Sequence, residues 1–300
     1  MFETRPQSFA FLALVTGALA MGFSPIFVRL ADVGPFASAF WRVALALPPL
    51  WLWQKLADEP LPHGGRDFLA ALILSGLFFS GDLIFWHLSI LHTSVANATL
   101  LATMAPVWVF IVSAAVFGHR LRRAELGGLG VCIIGGVFLI RDTLGIAPDR
   151  LIGDLEALAT SLFFGLYIVA ITRARRFAGP ARITFYSTAV TAVCLLVAAL
   201  IVEGDIMPRS AAGWAVLAGL ALISQAAGQG LLAFALGRLP VAFSSLVVFL
   251  EAVAAALLAW VLFGEALGPW QWLGGFFVLF GIWLARPRVP GGSAGRKRLS

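Results

Sequence analysis

Between Ser8 and Ala285 one apolar run follows another, and the longest connection between runs, 54–66, is 13 residues. A helix needs about 20 predominantly apolar residues to cross a bilayer. Ten such segments fall at about 8–28, 35–53, 67–90, 95–117, 124–141, 152–172, 181–202, 211–235, 241–263 and 269–285. Membrane-spanning strands alternate in polarity and are only about 9–11 residues long, so these longer, non-alternating runs predict helices. The 300 residues are 60% hydrophobic and 12% charged, against about 25% charged in soluble domains. One soluble core could not bury that much apolar side chain. The fold class expected is therefore an all-α membrane protein of ten transmembrane helices, with no soluble domain. "ALAM" at Ala18 to Met21 imitates a signal-peptide cleavage site. The apolar run continues past it to Val28, however, and Arg5 is balanced by Glu3, so a retained first helix is expected.

Charge in the connections sets an orientation. With a cytoplasmic N-terminus, sixteen of the 21 Lys and Arg fall in inside segments and four outside, Arg29, Arg141, Arg150 and Arg209. Arg42 lies within a helix. Such a bias predicts both termini in the cytoplasm. The pI near 10.3 follows from a basic face meeting anionic lipid, so membrane lipid and no nucleic acid is the partner implied. The spacings GxxxxGK[ST], HExxH and CxxC are absent, which excludes an ATP-driven pump within this chain. Cys132 and Cys194 read as packing residues, and no cofactor or metal is expected.

The chain repeats itself. At a constant offset of 146, Val95 meets Val241, Gly118 meets Gly264, Leu121 meets Leu267, Gly128 meets Gly274 and Gly135 meets Gly281. Gly34-Pro35 meets Gly179-Pro180 at an offset of 145. The domains expected are a first repeat at 8–141, a second at 152–286 and a basic cytoplasmic tail at 287–300. Five helices per half is an odd number, so the halves would enter the membrane from opposite sides. Inverted repeats of this kind provide two similar packings that exchange about a central site, the basis of alternating access.

Two five-helix halves and "LEAVAAALLAWVLFGEAL", from Leu250 to Leu267, resemble the drug/metabolite transporter superfamily and its bacterial EamA-type exporters. The family pattern has Glu-Pro in the ninth helix and Gly-Glu closing it. This chain keeps Glu251 and Gly264-Glu265 but has Ala252 after the glutamate. In the first half Pro106 follows Ala105, and Gly118-His119 closes the helix. The resemblance implies a transporter, not an enzyme, with a small-molecule substrate. It is similar in particular to bacterial aromatic-amino-acid exporters, with a broader drug or metabolite exporter as the alternative. It leaves open facilitated diffusion against proton antiport, and monomer against homodimer. An intramembrane lipid-modifying enzyme would require Arg, His, Ser or Glu clustered at one membrane face, and no such cluster occurs.

A carboxylate at mid-bilayer costs roughly 2.5–3.5 kcal/mol on insertion scales, so an intramembrane Asp faces a cavity or a partner. Ser75, Phe79, Asp82, Trp86 and Ser89 recur at three and four residues and share a helix face. Arg42 is a candidate partner for Asp82, leaving open a structural ion pair or a proton- or substrate-binding role. His87 belongs to another face and is expected to pack at the interface. Similar stripes are Glu156, Thr160, Phe164 and Tyr167; Asn97, Leu101, Met104 and Trp108; Gln225 and Gln229; and Ser244, Val248, Glu251 and Ala255. Each stripe could equally serve helix packing. Together they predict a cavity walled by helices 1, 3, 4, 6, 8 and 9, with candidate substrate-binding residues Asp82, Trp86, Asn97, Phe164, Tyr167, Gln225, Gln229 and Glu251. Apolar walls with few polar groups suit a small amphipathic solute. Sugar phosphates would need several cations, and Arg42 is the single intramembrane one. Gly22 and Pro25 form a candidate hinge in the first helix, because proline removes a backbone donor.

Overall fold

The computed structural model describes residues 5–93, 98, 101–118, 122–141, 151–264 and 267–287; Asn97, His119, Glu265 and the tail from 288 lie outside the described residues. The described residues are predominantly helical, with no strand among them. In chain order the helices are α1 (Arg5–Met21), α2 (Ser24–Leu30), α3 (Pro35–Ala44), α4 (Leu47–Leu56), α5 (Gly65–His92), α6 (Ala105–Phe117) and α7 (Arg123–Ile140). They continue with α8 (Leu151–Ala174), α9 (Pro180–Val202), α10 (Ala211–Gly219), a π-helical stretch (Leu220–Gln229), α11 (Gly230–Leu236), α12 (Val241–Val247), α13 (Leu250–Phe263) and α14 (Pro269–Ala285). Among the described residues, seven stretches are long and apolar enough to cross a membrane: Gln7–Leu30, Gly65–His92, Arg123–Ile140, Leu151–Ala174, Pro180–Val202, Ala211–Leu236 and Val241–Phe263. Ala105–Val116 and Pro269–Ala285 are shorter apolar helices. Side chains such as Val261 and Ile201, 72% and 78% exposed, cover the outside of the bundle, a surface suited to hydrocarbon.

Proline explains most of the interruptions. It lacks the N–H that would continue a helix but fits a first turn. The segment expected at 35–53 is thus divided into α3 and α4, with Pro48 and Pro49 opening the second piece. Pro25 opens α2 after the turn at Gly22-Phe23, and Pro106 opens α6 after Thr103-Met104. The segment at 241–263 also breaks, at Val248-Phe249. Its break matches the one before Pro106, although Ala252 occupies the proline's place at the 146-residue offset. Gly118 and Gly264 end α6 and α13 in the left-handed region, at φ 62° and 70°. That conformation favours glycine.

The two halves are fastened by paired contacts. The α7 and α14 helices cross at glycines. A Cβ on Gly128 would lie 2.6 Å from the Gly281 carbonyl oxygen, and one on Gly135 would lie 2.8 Å from that of Gly274. Glycines give the close backbone approach that van der Waals packing in lipid requires. A second pairing was not visible in the helix periodicity. Phe36 and Ala37, at the start of α3, donate backbone N–H to the Glu203 carboxylate at 2.7 and 2.9 Å. Ala181 and Arg182, at the start of α9, donate theirs to Glu59 at 2.8 and 3.2 Å. Each glutamate follows one of the two helical segments and caps the other. Gly34 and Gly179 are the cap residues, and a Cβ on either would collide with that carboxylate. Loss of such a cap costs about 1 kcal/mol, more for a charged acceptor. Glu59→Ala and Glu203→Ala should therefore each lower the unfolding midpoint in detergent, while Glu59→Asp recovers less than half of the loss. An unchanged midpoint in both alanine variants would remove the caps from the stability account.

Arg175, just beyond α8, ties two helix ends together by donating to the carbonyls of Ala178 and Ala233, at 2.5 and 3.0 Å. Burial first, then the charge of Arg238, holds its pKa down to about 10, with Glu59 opposing. It remains charged at neutral pH and neutralises carbonyls that a helix terminus leaves without partners.

Candidate functional site

Buried Arg42 and Asp82 and half-buried Glu251 converge on one cavity. It holds about 830 Å³ of non-protein space, counted out to its open mouth. Its walls come from both halves: Ser24 and Pro25 of α2, Arg42 of α3, Phe79, Asp82, Leu83 and Trp86 of α5, and Ala102, Thr103, Ala105 and Pro106. The second half supplies Thr160, Phe164 and Ile168 of α8, Gln229, and Ser245, Val248, Phe249, Glu251, Ala252 and Ala255 around the α12–α13 break. Asp82 is thus buried and turned to the cavity, not to the outer surface.

Arg42 is held in place from two sides. Its Nε donates to Gln225 Oε1 at 3.0 Å and its Nη1 to Ser24 Oγ at 2.8 Å, while the guanidinium carbon lies 5.8 Å from the centre of the Phe79 ring. Asp82 and Glu251 both act on it electrostatically. Among the described residues, no nitrogen–oxygen approach of 4.0 Å or less joins Arg42 to either carboxylate. An aromatic layer lines the other side. Tyr167 stacks on Phe79 and Phe164 with centroids 4.7 and 5.9 Å apart, and its hydroxyl donates to Gln229 Oε1 at 3.1 Å.

The expected residues thus sort into three groups. Asp82, Trp86, Phe164, Gln229 and Glu251 line the cavity, as does Pro25. Tyr167 and Gln225 stand one layer behind it, touching the wall residues Phe79 and Arg42. Asn97 lies outside the described residues. Gly22 packs against α13, where a Cβ would meet Ala254 Cβ at 2.5 Å. Three expectations need correction. The second helix joins the wall through Arg42, which the six expected helices did not include. His87 is buried, not interfacial, because α5 runs on for another turn; its Nδ1 lies 2.6 Å from the Leu83 carbonyl oxygen. Glu156 and Trp108 leave their stripes, pairing with His92 at 2.8 Å and Ser161 at 2.9 Å.

The model of the EamA-like transporter family matches the chain twice, over residues 8–141 and 151–286. The chain belongs to the EamA-like transporter family. An "Uncharacterized transporter" of Archaeoglobus fulgidus is 26% identical over 276 residues, covering 91% of this chain and 94% of the relative. The pseudopaline exporter CntI of Pseudomonas aeruginosa is 26% identical over 188 residues, covering 62% of this chain and 63% of that protein. A crystal structure with 20% sequence identity superposes with a TM-score of 0.79, covering 93% of this chain and 97% of that one. That likeness concerns the fold. As an EamA-family member the protein is a multi-pass membrane transporter for small molecules and not an enzyme, so the cavity is read as a place for cargo.

Proposed function

We propose that the protein exports amino acids, aromatic and other neutral ones first, or related small metabolites, across a bacterial inner membrane by alternating access. In this reading α3 with α4, α6 with the residues before it, and α14 are spans as well, which gives ten. The segments 8–141 and 152–286 are then inverted five-helix repeats with both termini, and the tail 287–300, in the cytoplasm. The reciprocal caps, the matched left-handed glycines and the α7–α14 crossing support it, since repeats related by a two-fold axis make each contact twice. The observation that carries the substrate class is the cavity itself. One buried Arg and two carboxylates face aromatic rings there, a chemistry fitted to a small solute with opposite charges and an apolar side chain. Export of a wider metabolite set is the second reading, favoured by the likeness to the pseudopaline exporter.

Proteoliposomes loaded with a mixed amino-acid pool test the activity. Trp86→Ala and Tyr167→Ala should slow aromatic amino-acid flux about three- to tenfold, the range of an aromatic contact, with membrane insertion intact. Unchanged concentration-dependent flux in both variants rules out the aromatic wall. Flux compared at two external pH values in the parent and in Asp82→Asn separates proton antiport from facilitated diffusion. For topology, cysteines introduced into 54–66 and 142–151 of a variant lacking Cys132 and Cys194 should label from opposite faces, the second from outside. Labelling of both from outside overturns the proposed orientation.

A further inference from the structure

The amino-acid reading leaves open how the cavity recognises its cargo, and the geometry of Arg42 bears on that. A guanidinium has five N–H donors. Two of them, on Nε and Nη1, are used on the neutral oxygens of Gln225 and Ser24. The other three, on Nη1 and Nη2, form the end of the fork that closes on a carboxylate with two parallel bonds. The buried side-chain polar atoms left without a partner among the described residues are Asp32 Oδ1, Ser38 Oγ, His87 Nε2 and Ser244 Oγ. Those of Arg42, Asp82 and Glu251 are not among them, so their free ends look onto the cavity that all three line. Opposite charges drawn out of water ordinarily close into contact, because an uncompensated buried charge is expensive. Here one cation and two carboxylates share a cavity with no contact of 4.0 Å or less between them.

We infer that this cavity recognises its cargo at two poles, Arg42 taking a carboxylate while Asp82 and Glu251 take a protonated amine, with Gln225 and Ser24 as positioning residues for Arg42. The inference rests on the amino-acid reading given above. A zwitterion completes the charge pattern at both poles. An amine without a carboxylate leaves Arg42 unsatisfied, and an acid without an amine meets two like charges. Gln225 stands behind the wall, so it acts by fixing the plane of the guanidinium and not by touching cargo.

Three ligands with the same ring separate the poles: L-phenylalanine carries both charges, 2-phenylethylamine the cation and 3-phenylpropanoate the anion. Titration calorimetry on the full-length protein in nanodiscs should show L-phenylalanine binding about tenfold or more tightly than either analogue, the effect of one charge-assisted hydrogen-bonded pair. In Gln225→Leu the ratio of L-phenylalanine to 2-phenylethylamine should shrink at least about threefold, with 2-phenylethylamine affinity unchanged. A variant that merely loosened the fold would weaken both ligands together. Equal binding of 2-phenylethylamine overturns the carboxylate pole, and equal binding of 3-phenylpropanoate overturns the amine pole; both leave the amino-acid reading standing. An unaltered ratio in Gln225→Leu overturns its positioning role. If none of the three binds, the amino-acid reading itself fails and the two-pole site falls with it.

Discussion

Gly281→Val should sharply lower the unfolding midpoint and the folded yield, whereas Gly130→Ala should be silent. Gly281 sits in the contact between α7 and α14, whereas Gly130 lies on α7 outside it and serves as the control. A Cβ at Gly281 would lie 2.6 Å from Cys132 Sγ, 2.7 Å from the Gly128 carbonyl oxygen and 2.9 Å from the Cys132 nitrogen, whereas one at Gly130 would meet nothing within 4 Å. Backbone atoms cannot rotate aside, so the helices must separate along the whole crossing. Overpacking of this sort costs about 3 kcal/mol or more, a large part of a typical stability. Size-exclusion profiles and intrinsic-fluorescence unfolding in detergent would report it. A monodisperse Gly281→Val variant with the parent's unfolding midpoint would show that this crossing does not hold the bundle together.

Arg42→Met should destabilise by about 3–5 kcal/mol, because it leaves buried Asp82 and half-buried Glu251 without their counter-charge. Methionine approximates the arginine stem, so the loss is mainly electrostatic and not one of volume. Adding Asp82→Asn and Glu251→Gln to that variant should restore at least half of the lost stability, since amides tolerate burial better than unpaired carboxylates. Recovery in the triple variant together with absent transport would separate the cost of holding the charges from their use. If Arg42→Met unfolds at the parent's midpoint, the three residues do not form one electrostatic unit.

Much of the cavity was legible because helical spacing reports which side chains share a face. The spacing 79, 82, 86 on α5 and 160, 164 on α8 returns each residue to one direction, and the cavity lies in that direction. The same arithmetic failed in the eighth segment. Gln225 and Gln229 sit four apart, but an i→i+5 ladder winds more residues per turn than an α-helix. Gln225 consequently reaches Arg42, and Gln229 reaches Tyr167 and the cavity. The sequence offers Arg42 as a candidate partner for Asp82, yet its place in the wall depends on Ser24 and Gln225, 18 and 183 residues away. The caps by Glu59 and Glu203 left only an indirect trace, the twin Gly-Pro pairs at 34–35 and 179–180. A carboxylate in a loop carries no periodicity, so the sequence does not say which distant helix it will cap.

Those swapped caps bear on how the chain can be made. The amides of Phe36 and Ala37 receive their acceptor from a residue about 167 positions further along, and the ribosome adds roughly 5–20 residues each second. For on the order of ten seconds or more the start of α3 must therefore borrow water, lipid headgroups or the insertion machinery to satisfy those donors. Glu59 emerges early and waits instead for the start of α9. The nascent first half is thus a provisional structure whose helix ends are completed only when the second half arrives.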